Sequence, residues 1–277
     1  MDSIWLITGS SVGLGRSITQ AALAAGHHVV ATARDPRALD DLAAKFPDQI
    51  LSQRLDVTDA NRSREVVQAT LDRFGRIDVL VHNAGFSGVG SIEDMPIDLI
   101  ETQFQTNFMG AVHLCKAVLP TMRRQGRGRI ILISSIGARI ATAGAGVYYA
   151  SKAAVSALAE SLALEVGRLG VKVSAVEPGA MRTRFAEAGS LVVAPFDQAY
   201  DDTVGATVSM MRSPEYAAIL RDPAGVAAMI LRAAELDDMP VRLLAGADAY
   251  EMGIDADVRR SASDVRWSDL SRSATVA

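Results

Sequence analysis

A single cysteine, Cys115, stands in 277 residues, so no disulfide can cross-link the chain, and a cytoplasmic location is expected. Its surroundings, Ala111-Val112-His113-Leu114-Cys115, are apolar, which marks a small core hydrophobe rather than a nucleophile. A basic excess is also lacking. The 28 Lys and Arg against 32 Asp and Glu leave a formal charge of −4, which argues against a nucleic-acid partner. Lys152, Glu160 and Glu165 interrupt the longest apolar stretches, so no membrane span is expected. The chain enters Ile4-Trp5-Leu6-Ile7 without a charged lead or a cleavage site, and no signal peptide is expected. His27, His28 and His82 have no carboxylate or thiol at ligand spacing, so no metal is expected. No linker rich in Pro, Gly or Ser and no internal repeat divides the chain, which points to one domain over residues 1–277.

What is present is core material: 49% of residues are hydrophobic and 22% charged, enough apolar burial to offset chain entropy. Strand candidates are Ile4–Thr8, His28–Ala33, Ile50–Arg54, Ile77–His82, Arg129–Ser134, Lys172–Glu177 and Val241–Leu244. Helical patterns lie between them, at Leu14–Ala25, Arg37–Lys45, Arg62–Phe74, Asp98–Met122 and Tyr148–Leu169. Most of these strands are almost wholly apolar, as strands covered on both faces must be. The alternation predicts right-handed crossovers and an α/β fold: a doubly wound, Rossmann-type parallel sheet of about seven strands. Residues Phe185–Arg221 show no clear strand and predict a substrate lid, about 184–222, after the sixth strand. The polar tail from about 255 to 277 is compatible with a helix, a docked segment or a disordered one.

The first strand runs into Thr8-Gly9-Ser10-Ser11-Val12-Gly13-Leu14-Gly15, and a helix follows. Strand, glycine turn and helix N-terminus together form an anion site. Backbone N–H groups and the helix dipole face it, and glycines let a pyrophosphate come close. Gly9, Ser11, Gly13, Leu14 and Gly15 are therefore expected at a dinucleotide, although the spacing G-x-x-x-G-x-G differs from the commoner G-x-G-x-x-G. The second strand ends Ala33-Arg34-Asp35-Pro36. Asp35 before a proline reads as a helix cap, which leaves Arg34 to meet a ribose 2′-phosphate. NADP(H) is expected in preference to NAD(H), which is possible.

Tyr148 and Lys152 are four apart at the start of a helix and share a face. A phenol with a pKa near ~10 is a poor acid–base group at neutral pH, and a neighbouring ammonium lowers it. Such a pair suits proton delivery to a carbonyl oxygen as hydride reaches its carbon. Around it, Ser135 follows a strand, Pro178-Gly179 ends the next, and Asn83-Ala84-Gly85 ends an earlier one. Asn107 sits inside a helix, where asparagine is locally unfavourable and invites a functional explanation.

In these motifs, from Thr8-Gly9-x-x-x-Gly13-x-Gly15 through Asp56-Val57, Asn83-Ala84-Gly85, Asn107, Ser135, Tyr148-x-x-x-Lys152 and Pro178-Gly179, the chain resembles the short-chain dehydrogenase/reductase family. The likeness covers about residues 3–183 and lies with its shorter, single-domain branch. The resemblance implies Tyr148 as general acid/base, Ser135 on the substrate oxygen, and Lys152 lowering the tyrosine pKa and binding the nicotinamide ribose. It implies that Asn107 holds a water linking Lys152 to solvent, that Asp56 and Val57 contact adenine, and that Asn83, Ala84 and Gly85 line the cofactor. Pro178, Gly179, Met181 and Thr183 would then touch the nicotinamide, with Thr183 near its carboxamide or the phosphates. His82 stands where the family usually shows an asparagine, a change expected to alter packing more than chemistry. The family likeness also implies a homodimer built from the helices at 98–122 and 148–169, with a tetramer put in doubt by the C-terminal tail. Val30–Asp35 and the long lid look most similar to hydroxysteroid- or retinol-type members that use NADP.

The function expected is thus an oxidoreductase interconverting a small ketone or aldehyde and an alcohol. The alternative is a non-catalytic NADP-binding sensor, although such proteins typically lack the Tyr or the Lys. An epimerase or dehydratase would want another glycine spacing and a larger C-terminal domain. Met181, Phe196, Met210 and Met211 read equally as an adaptable substrate wall or as lid packing. The arginines at 123, 124, 127 and 129 read as a solvated helix-end cluster, and Arg182 and Arg184 as solvated side chains.

Overall fold

The computed structural model describes residues 2–182 and 191–275. In chain order the strands are β1 (Ile4–Ile7), β2 (His28–Ala33), β3 (Ile50–Arg54), β4 (Val79–His82), β5 (Ser87–Val89), β6 (Gly128–Ile133), β7 (Val171–Pro178), β8 (Leu191–Val193) and β9 (Arg242–Ala245). The helices are α1 (Gly13–Ala24), α2 (Asp40–Lys45), α3 (Ala60–Phe74), α4 (Ile97–Phe104), α5 (Gly110–Gln125), α6 (Gly146–Val166), α7 (Ala206–Met211), α8 (Pro214–Ile219), α9 (Pro223–Glu235), α10 (Ala247–Arg266) and α11 (Ser268–Arg272). Seven strands form one parallel sheet in the order β3-β2-β1-β4-β6-β7-β9. The order reverses between β1 and β4, which opens a crevice at their carboxyl ends.

Neighbouring residues of one strand enter different cores. Trp5 and Ile7 point into the layer packed by α1 and α9, and Leu6 points into the layer packed by α3, α5 and α6. All four residues of β1 are buried, which is why these strands read as unbroken apolar runs rather than alternating ones. The helix ends follow local chemistry. Asp59 caps α3 by accepting the N–H groups of Asn61 (2.8 Å) and Arg62 (2.9 Å). Gly75 and Gly126 end α3 and α5 with φ of 75° and 67°, a conformation costly for any residue with a Cβ. Arg123 and Arg124 occupy the last turn of α5, where cations complement the helix dipole.

Two features depart from the sequence expectation, and in a third the chain takes one of the forms left open. The helix expected over Asp98–Met122 is interrupted by a π-turn at Gln105–Met109, centred on Asn107. The region 185–221, expected to hold no strand, contains β8, which pairs with β5 in a separate two-stranded parallel sheet. Three residues are too short to carry a period. The C-terminal tail is helical: α10 presents Ala249, Gly253 and Ala256 to the body of the protein, and a Cβ on Gly253 would meet Leu244 at 2.9 Å. Among the described residues, no helix is long and apolar enough to cross a membrane, and no cluster of His, Cys, Asp and Glu is arranged to hold a metal ion.

Candidate active site

A cleft of about 610 Å³ opens along the carboxyl ends of the strands, from Arg34 at one end to Met181 at the other. The glycine turn after β1 forms its base. Gly9 and Gly13 have φ of 69° and 59°. Gly15 lies so close to the turn that a Cβ would meet the Gly9 carbonyl at 2.3 Å and Asn83 Nδ2 at 2.4 Å. Thr8 and Asn83 staple this turn to the end of β4. Thr8 Oγ1 accepts the N–H groups of Asn83 (3.0 Å) and Ala84 (3.1 Å), and Asn83 Nδ2 donates to the carbonyls of Thr8 and Gly9. Asn83 therefore spends its amide on the loop, and Thr8, given no role from sequence, fixes both segments. A strand-end Thr beside a glycine turn is the signal that could have found it.

At the outer end, Arg34 and Asp56 line the cleft with exposed side chains, and Val57 and Ser11 lie beside them. Asp35 caps the turn Pro36–Leu39 by accepting the Arg37 N–H and also pairs with the Arg37 guanidinium at 2.7 Å. These bonds to Arg37 hold its carboxyl below the usual carboxylate range. Arg34 is thus the strand-end side chain that faces the cleft.

At the inner end, Ser135, Tyr148 and Lys152 share one wall, with Pro178, Gly179 and Met181 completing the floor. Ser135 caps a short turn, its Oγ accepting the Gly137 N–H at 3.1 Å. Tyr148 lies in the first turn of α6 and Lys152 one turn on, with Nζ 5.9 Å from the Tyr148 ring centroid. Burial pushes the Tyr148 phenol up to about 12, and the Ser135 hydroxyl opposes this. Sequence reasoning expected Lys152 to bring the phenol down. Among the protein's own groups the opposite direction prevails, because burial of the phenol outweighs the help of the Ser135 hydroxyl, while Lys152 donates its ammonium to the Ile133 carbonyl at 2.8 Å. Lys152 itself is 4% exposed, and desolvation lowers its pKa to about 8.

Asn107 is fully buried and does not line the cleft. Its Oδ1 accepts the Phe86 N–H, and its Nδ2 donates to the Phe86 carbonyl and to Ser151 Oγ, each at 2.9 Å. Both amide protons are used, so the side chain ties the π-turn to the segment after Gly85 and to α6. Gly85 keeps this corner open: a Cβ there would meet Asn107 Oδ1 at 2.9 Å and Lys152 Nζ at 3.3 Å. Thr183 lies outside the described residues, as do Arg184 and the start of the expected lid. Phe86, Leu99, Thr102, Thr106 and Val192 also line the cleft. They were not singled out in the sequence, because none belongs to a motif. Met181 belongs to the cleft, whereas Phe196 and Met211, within the segment expected as a lid, pack with Val89, Val204 and Val208. Cys115 is buried, and burial pushes its thiol up to about 12, as suits an inert core residue.

His82 is 1% exposed, and its Nε2 has no partner among the described residues. Burial, with the Lys152 charge adding to it, lowers its pKa from 6.5 to about 3. A histidine buried neutral contributes its full stability above about 6.5 and loses it as pH falls towards 3, at about 1.4 kcal/mol per pH unit. Between pH 7 and 5 the wild type should therefore lose about 2 kcal/mol more than His82→Asn, read by urea unfolding at the two pH values. An equal loss in both proteins contradicts this.

Residues 3–190 match the family model of the short chain dehydrogenases. The chain is 40% identical over 272 residues to an oxidoreductase of Botryotinia fuckeliana, covering 98% of each protein. The crystal structure of a short-chain dehydrogenase from Streptomyces avermitilis superposes with a TM-score of 0.92 at 39% identity, over 100% of both chains. A structure of ElxO with NADP bound superposes with a TM-score of 0.75 at 26% identity, over 91% of this chain and 100% of that one. The seven-stranded parallel sheet agrees with these likenesses, and the chain belongs to the short chain dehydrogenase family of oxidoreductases.

Proposed function

We propose that the protein interconverts a ketone or aldehyde and the corresponding alcohol, with NADP(H) preferred over NAD(H). The meeting of Ser135, Tyr148 and Lys152 opposite Pro178–Met181 in one cleft carries this reading. The chain's own features fit a dinucleotide. The left-handed Gly9 and Gly13 and the close approach of Gly15 leave room for a pyrophosphate, and the N-terminus of α1 faces it. When bound, the nicotinamide supplies or takes the hydride. In the reducing direction, Ser135 orients the substrate carbonyl oxygen by hydrogen bonding, and Tyr148 donates its phenolic proton to that oxygen as the carbon receives hydride. At neutral pH a phenol pushed up to about 12 holds that proton securely. Lys152, whose pKa is about 8 and whose Nζ lies 5.9 Å from the Tyr148 ring centroid, is assigned the return of a proton to Tyr148. Phe86, Leu99, Met181 and Val192 give the substrate end apolar walls, which favours an apolar carbonyl compound of the hydroxysteroid or retinol kind.

Arg34 faces the adenosine end of the cleft and is assigned the 2′-phosphate. Arg34→Ala is expected to raise the KM for NADPH about thirtyfold, the loss of a charge-assisted hydrogen bond worth about 2 kcal/mol, and to leave NADH nearly unchanged. Steady-state kinetics with both cofactors checks this, and an equal loss for both removes Arg34 from that role. A homodimer belongs to the same proposal. Leu164 on α6 is 87% exposed and is offered as part of the dimer face. A cytoplasmic location is proposed from the single buried thiol.

A further inference from the structure

The proposed reaction needs two short segments held still: the turn that opens at Ser135 and the segment Pro178–Ala180 across the cleft. Hydrogen bonds from both lead to the same element, α10. In its first turn, Asp248 Oδ2 accepts the Ala180 N–H at 3.1 Å. The carboxylate is seated against the backbone, since a Cβ on Gly179 would meet Asp248 Oδ2 at 2.1 Å. Further along, Asp257 Oδ2 binds Arg139 Nη1 at 2.6 Å. Arg139 closes the turn that Ser135 opens: the turn Ile136–Ala138 has Ser135 at its N-cap and Arg139 at its C-cap. Arg260, also on α10, donates to the Arg139 carbonyl at 3.0 Å.

The other edge of Arg139 reaches a buried carboxylate. Its Nε donates to Glu177 Oε2 at 2.6 Å, and Glu177 is 0% exposed. Glu177 Oε1 accepts Arg242 Nε at 2.8 Å and Ser156 Oγ at 2.9 Å. Ser156 Oγ is 2.8 Å from Ser134 Oγ, whose single proton is shared between Ser156 and the Lys152 carbonyl, also at 2.8 Å. A carboxylate this deep is sustained by its two guanidiniums, so the pairing fixes Arg139 rather than merely decorating it. Helix α10 can come this near because Ala249, Gly253 and Ala256 face the body of the protein.

We propose that Asp248 and Asp257 of α10 are positioning residues of the active site, Asp248 fixing the Pro178–Ala180 floor and Asp257, through Arg139, fixing Ser135. The effect on rate rests on the hydride-transfer reading, whereas the effect on local rigidity does not. The test compares Asp248→Ala and Asp257→Ala with Asp248→Asn and Asp257→Asn in the full chain. Hydrogen exchange is followed over residues 135–139 and 178–182, with and without NADPH, alongside NADPH-dependent reduction of phenanthrenequinone. Asp248→Ala should lose protection at 178–182 alone, and Asp257→Ala at 135–139 alone. Each should lower kcat about tenfold with the KM for NADPH changed less than about twofold. The asparagine variants keep an acceptor oxygen and should restore both readouts. Unchanged exchange in the alanine variants, loosening that extends into β1, asparagine variants that behave like alanine, or local loosening without a fall in kcat would each overturn the proposal. A wild type that reduces no quinone contradicts the reaction reading, and the exchange arm still decides the clamp.

Discussion

Tyr148→Phe is expected to bind NADPH as the wild type does and to reduce carbonyl substrates roughly a thousandfold more slowly, the weight of one well-placed general acid. The ring keeps its packing against Tyr149, whose centroid lies 5.8 Å away, so the substitution removes one proton and one oxygen and little else. With the phenol pushed up to about 12, Tyr148 is protonated throughout the physiological range. Reduction should therefore hold a flat rate from pH 6 to 8 in the wild type as far as this group is concerned. Fluorescence titration of NADPH and single-turnover reduction separate binding from chemistry. Substantial turnover in the variant would take Tyr148 out of the acid's role.

Lys152→Met should lose activity about a hundredfold and gain stability. Burial lowers the Lys152 pKa from 10.5 to about 8. The sign follows directly. A lysine with a depressed folded pKa carries no penalty above 10.5 and a full one below about 8, so at pH 7 the folded state bears about 3 kcal/mol for holding the ammonium. Methionine removes that penalty and leaves the Ile133 carbonyl with one partner fewer, which returns about 1 kcal/mol. The net gain of about 2 kcal/mol corresponds to a Tm higher by roughly 5 °C for a domain of this size. The difference should shrink as pH rises from about 8 to 10.5. Thermal unfolding at pH 7 and 10 checks it, and a variant less stable than the wild type at pH 7 would show that the ammonium is not a burden on the fold.

Much of the fold was legible because its signals are local. Residues such as Trp5, Leu6 and Ile7 are apolar because each faces a covered layer, and that pattern alone announces a parallel sheet. The glycine turn was legible because Gly9 and Gly13 need left-handed backbone and Gly15 needs space. Asp35 was legible as a cap from the proline after it. What escaped depends on contacts between distant parts of the chain. The pairing of β5 with β8 joins residues about a hundred apart with three residues each, and no window of sequence carries it. Asn107 stood out as a misplaced asparagine, yet its partners Phe86 and Ser151 lie far off in sequence. The direction of the Tyr148 pKa also escaped. Spacing places Lys152 on the same helix face, but the burial of the phenol decides the direction. The network from Glu177 to Asp257 is likewise invisible in sequence, since it joins β7, β9, α6 and α10 through side chains with no common motif.

The most direct test of the central claim is isotope transfer. NADPH carrying deuterium at the transferable C4 position would be incubated with the protein and a panel of aliphatic ketones, steroid ketones and retinal, and the products weighed by mass spectrometry. The account predicts deuterium on the carbinol carbon of at least one product, and roughly a thousandfold less of it in the same time with Tyr148→Phe. Binding of NADPH without label in any product across the panel would contradict it and favour a cofactor-sensing role for the same cleft.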